Sequence, residues 1–76
     1  MSRYRIQNKK GKNFSYGYDN PLQEYFLDDT VGKTFVGTMS EVHGSAGNLM
    51  EAAAKKGIWE LMPESHKQRI AMDLPF

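Results

Sequence analysis

Three short stretches carry residue types that catalysis could use. Gly32-Lys33-Thr34 has the glycine, cation and hydroxyl that end a phosphate-binding loop. That loop also needs a glycine five positions earlier, where Leu27 stands. It must open a helix, yet residues 34–38 read as a short strand. The stretch reads as a turn. His43-Gly44-Ser45-Ala46-Gly47 places a serine among glycines, as a nucleophile elbow would, but His43 occupies the position of the first glycine. A flexible loop closing in a helix cap is the expected reading. Asp28-Asp29 is a carboxylate pair whose members, being adjacent, point in different directions and suit a solvated hairpin end.

Gly44 and Gly47 have the spacing of the backbone-clamping loop of KH domains, which grips nucleic-acid phosphates. That loop joins two helices, whereas here a strand precedes the glycines. His43 and His66 lack the spacing of a zinc site, so neither metal nor cofactor is expected. His66 falls on the face of Ile70 and should be a half-buried ring with one hydrogen bond. With no catalytic constellation, the expectation is that the chain is not an enzyme.

Charge is the more informative pattern. Arg3, Arg5, Lys9, Lys10 and Lys12 give the first eighteen residues +5 with no acid among them. Residues 19–76 carry −4, so the chain of net +1 is an electrical dipole. The five cations are the candidate binding surface for an acidic protein or for phosphates, with the lysines acting as sequence-blind charges. The competing reading is that they keep an exposed strand edge soluble. Trp59, Met62, Met72 and Phe76 are the second candidate. Four large apolar side chains near the C-terminus exceed what a thin core absorbs, and an exposed remainder would mark a protein interface. The competing reading, which is favoured, has Trp59 closing the core beneath the helix link.

These residues must be positioned by elements that the spacing reveals. Tyr4 and Ile6 alternate with Arg3, Arg5 and Gln7, and Phe14, Tyr16 and Tyr18 alternate with Ser15, Gly17 and Asp19. A β-hairpin over residues 3–18 follows, turning at Asn8-Lys9-Lys10-Gly11-Lys12. Pro21 interrupts before a third strand over 23–28, with Tyr25 and Leu27 on one face. Phe26, on the other face, implies cover on both sides. Residues 34–38 form a fourth strand, in which Gly37 predicts a bulge or a close backbone approach.

The period then changes. Ser45 is the expected N-cap of a helix whose Ala46, Leu49, Met50 and Ala53 share a face, and Gly57 its closing residue. Glu51 precedes Lys55 in the favourable i,i+4 order. A second helix is predicted to begin at Pro63 and end at Pro75, burying Ile70 and Leu74. The order β-β-β-β-α-α predicts an α+β fold in a single domain over residues 1–76. It would be a three- to four-stranded antiparallel meander followed by two helices packed on one face.

With 76 residues and no cysteine, the chain has neither disulfides nor thiol chemistry, and a domain of this size is marginally stable. It has no apolar run that could span a bilayer and no apolar leader at its start, so a cytoplasmic protein off the membrane is expected. In type it resembles short bacterial or phage-encoded proteins. The expected function is that of a small non-catalytic accessory protein acting through protein–protein contact, with another protein or as a homodimer. The alternative is a nucleic-acid accessory protein that contacts phosphates through the basic hairpin.

Overall fold

Alternating rings and helical alanine spacing assemble as one sheet carrying two helices. The computed structural model describes residues 2–37 and 40–76. Strands β1 (Tyr4–Gln7), β2 (Asn13–Asp19), β3 (Glu24–Asp29) and β4 (Thr34–Val36) form an antiparallel meander in that spatial order. Tyr4 lies opposite Tyr16 and Ile6 opposite Phe14; Tyr16 in turn faces Leu27, and Tyr18 faces Tyr25. Side chains alternate across a strand, so this register puts Tyr4, Phe14, Tyr16, Tyr18 and Tyr25 on one face.

Helices α1 (Ala46–Lys55) and α2 (Glu64–Ala71), joined through a 3₁₀ turn (Trp59–Leu61), cover that face. Phe14, Tyr16, Leu27, Val36, Leu49, Ala53, Ile58 and Ile70 are each within 1% of complete burial. Replacing one of them, such as Ile70, by alanine should cost about 2–5 kcal/mol, which rivals the whole stability of a small domain.

Both helices end by the same device. Behind α1, the Gly57 and Ile58 amides donate to the Ala54 and Ala53 carbonyls, with Gly57 at φ +75°. Behind α2, Asp73 at φ +55° and Leu74 donate to Ile70 and Arg69. Each pair of bonds is the Schellman pattern, which satisfies orphan carbonyls and reverses the chain.

The second reversal corrects two expectations. Helix α2 stops at Ala71, not Pro75, and Leu74 is 43% exposed instead of buried. The turned chain brings in Phe76, whose ring stacks on Tyr4 at 5.6 Å. Pro63 is the N-cap of α2 and not its first helical residue. The third strand begins one residue later than expected, because Gln23 takes a turn conformation at φ +53°. The fourth ends at Val36; Gly37 follows at φ +113°, where a Cβ would lie 3.1 Å from the Tyr25 carbonyl oxygen. Thr38, included in the expected strand, lies outside the described residues.

Candidate functional site

The structure divides the five N-terminal cations into two groups. Arg3, just before β1, and Arg5, within it, lie on the sheet face that no helix covers. Arg3 is engaged there: its guanidinium pairs with Asp28 at 3.2 Å and lies 4.6 Å over the Phe26 ring. Phe26 faces Gly17 across the β2–β3 pair, and a Cβ on Gly17 would come within 2.9 Å of the ring. The missing side chain lets the ring lie across the strand and fall to 8% exposure on a face that no helix covers. Arg5 is exposed, with no ion pair among the described residues.

The three lysines belong to a different place. The Asn8 side chain organises it: its carbonyl oxygen accepts from the Lys10 and Lys12 amides at 3.0 and 2.9 Å. Its amide nitrogen donates to the Lys56 carbonyl at 2.9 Å. One residue thus folds the hairpin turn and fastens it to the C-terminus of α1, 48 positions away. The junction forms a cleft of about 280 Å³ lined by Lys9, Lys10, Lys12, Lys55 and Lys56, with Asn8, Phe14 and Gly57 beneath.

No acidic residue is in that lining. Glu51 reaches Lys55 at 3.1 Å, but both side chains are more than 60% exposed, and such a pair contributes little. Glu60 lies with Lys9 along a neighbouring cleft. Lys33 adds a sixth cation nearby, since its ammonium and that of Lys56 lie 5.4 and 4.2 Å from the Phe35 ring. The negative end of the α1 dipole eases the convergence, yet closely spaced ammoniums still repel. An anion in the cleft relieves that repulsion, and lysine supplies point charges to any acidic group that enters. Sequence reasoning identified the turn lysines and missed Lys55 and Lys56 as their neighbours. Their only local signal was the pair of lysines directly before a helix-closing glycine.

The remaining candidate residues have structural duties. Ser45 caps α1, its hydroxyl oxygen accepting from the Asn48 amide at 3.1 Å. Gly32 shapes the β3–β4 turn at φ +102°. Asp28 pairs with Arg3, whereas Asp29 is buried and accepts from the Val31 and Lys33 amides at 3.0 and 2.9 Å. Only Asp28 comes near the solvated carboxylate expected for both. His66 is half-buried between Tyr4 and Phe76, with ring centroids 4.3 and 5.1 Å away. Its Nδ1 lies 2.6 Å from the Tyr16 hydroxyl. Burial lowers the His66 pKa and pushes that of Tyr16 up to about 12, so burial favours the neutral form of both partners.

The apolar candidates do not form one exposed surface. Met62 is 3% exposed within the core, and Trp59 and Phe76 pack against it. Met72, at 68%, is the one that stands in solvent. No cluster of His, Cys, Asp or Glu that could hold a metal ion occurs among the described residues. No helix among them is long and apolar enough to cross a membrane. A scan against protein-family models, a search of curated proteins and a search of solved structures each found no match.

Proposed function

We propose that this chain is a small non-catalytic binding protein that acts through contact with another protein, presenting its lysine end to an acidic surface. The observation that carries this reading is the joining of the hairpin lysines to Lys55 and Lys56 around a cleft with no acid in its lining. A cysteine-free chain fits the reducing conditions of the cytoplasm.

A nucleic-acid partner is the second reading. It is favoured by the cleft's cations being all lysine, which meets phosphates without reading bases. Titration with polyglutamate and with a single-stranded oligonucleotide of equal charge separates the two. The protein reading expects polyglutamate to bind more tightly at about 150 mM salt, where surface charges are screened beyond about 8 Å. Tighter oligonucleotide binding, with affinity falling as roughly the 3.5th power of salt for five phosphate contacts, would replace it with the second. Failure of both ligands to bind at low salt would defeat each reading.

A further inference from the structure

We infer that the outer edge of β1 receives an extended segment of a partner protein, one whose side chains alternate between acidic and apolar. This surface is separate from the lysine cleft, and the inference does not rest on it.

The register establishes the open edge. The Ser2 and Asn8 amides donate to the Tyr18 and Lys12 carbonyls at 3.1 and 2.9 Å. Tyr4 and Ile6 lie opposite Tyr16 and Phe14 in the same register. Antiparallel pairing alternates, so the even-numbered residues of β1 bond to β2. Arg3, Arg5 and Gln7 therefore aim their N–H and C=O groups away from the sheet, and none of those groups meets a described residue. The opposite edge is shorter, and the loop after β4 covers what lies beyond it. Tyr25 and Gly37 donate to Gly44 and Val42, each at 2.9 Å, and β4 has three residues. A row of free backbone groups is a template for an added strand.

Side chains on the two faces of that edge select the occupant. On the open face Arg5 is exposed and unpaired, and Arg3 is only partly neutralised by Asp28. On the helix-covered face Tyr4 and Ile6 stay half-exposed, although their β2 neighbours Phe14 and Tyr16 are at 0% and 1%. An added strand would set acids about 5 Å from the arginines and apolar groups beside Tyr4 and Ile6. A second copy is the poorer occupant. Antiparallel self-pairing here sets Arg5 across from Arg5 or from Arg3, or slips to put both Arg5 side chains against Gln7 with no acid to meet them.

The test uses the full chain and two hexapeptides of one composition, Glu-Val-Glu-Val-Glu-Val and Glu-Glu-Glu-Val-Val-Val, with blocked ends. Amide hydrogen exchange is followed at each residue of β1. The alternating peptide is expected to slow exchange at Arg5 and Gln7 by at least about tenfold and to leave Tyr4 and Ile6 unchanged. Arg5→Glu should abolish the slowing. So should Arg5→Pro, which removes only an outward-facing amide, while Lys10→Glu should retain it. Equal slowing by the block peptide, no slowing at saturation, or loss in Lys10→Glu would overturn the inference. Slowing that rises with protein concentration alone would overturn it in favour of a second copy.

Discussion

The two ends of the β1–β2 hairpin start with similar charge and are treated in opposite ways. At the strand end, Arg5 stays exposed, while Arg3 is partly neutralised by an acid and seated on an aromatic ring that a glycine lets lie flat. At the turn end, Lys9, Lys10 and Lys12 are left exposed and are joined by two more lysines from a helix. Charge segregated along a sequence is therefore not charge available on a surface. Tertiary contacts remove some cations and concentrate others.

The sharpest way to break the strand end is Gly17→Val. A Cβ there would collide with the Ser2 carbonyl oxygen and the Phe26 ring, so Arg3 would lose its seat. A loss of about 3 kcal/mol is expected from chemical denaturation. At the turn end, Asn8→Ala removes the acceptor for two amides and the donor to Lys56. It should cost about 2 kcal/mol and weaken polyglutamate binding as the cleft loosens.

Acidity and alkalinity probe the covered face that both ends share. The His66 pKa is lowered on folding, so the unfolded chain takes up the proton first. Stability should be full above pH about 6.5 and fall below it until the folded pKa is passed. Burial pushes Tyr16 and Tyr25 up to about 12, Tyr25 also through its bond to Asp73. The unfolded tyrosines ionise first, so stability should fall between pH about 10 and 12. Thermal melts across pH would check both limits, and a melting temperature that holds steady through pH 6 would contradict the first. The smallest contrast is between single cations. Arg3→Ala should cost about 1 kcal/mol, whereas Lys10→Ala should stay within about 0.5 kcal/mol of the parent.

The sheet and α1 were legible because their signals are local. Rings two apart fix the covered face, and Ser45 and Gly57 bracket one helix. The end of α2 was not legible, since Asp73 takes the left-handed position that usually calls for glycine and turns the chain before Pro75. Phe26 could be flagged as covered, but its partner Gly17 emerges only with the register. The lysine cleft depends on one side chain reaching across 48 positions, which no periodicity encodes.

Paired charge-neutralising variants test the contrast most directly, with polyglutamate affinity as the reading. Lys55→Gln with Lys56→Gln should weaken binding at least about tenfold, despite their distance in sequence from the hairpin. Arg3→Gln with Arg5→Gln should change it less than about threefold. The reverse order, with the arginine pair essential and the helix lysines dispensable, would contradict the account.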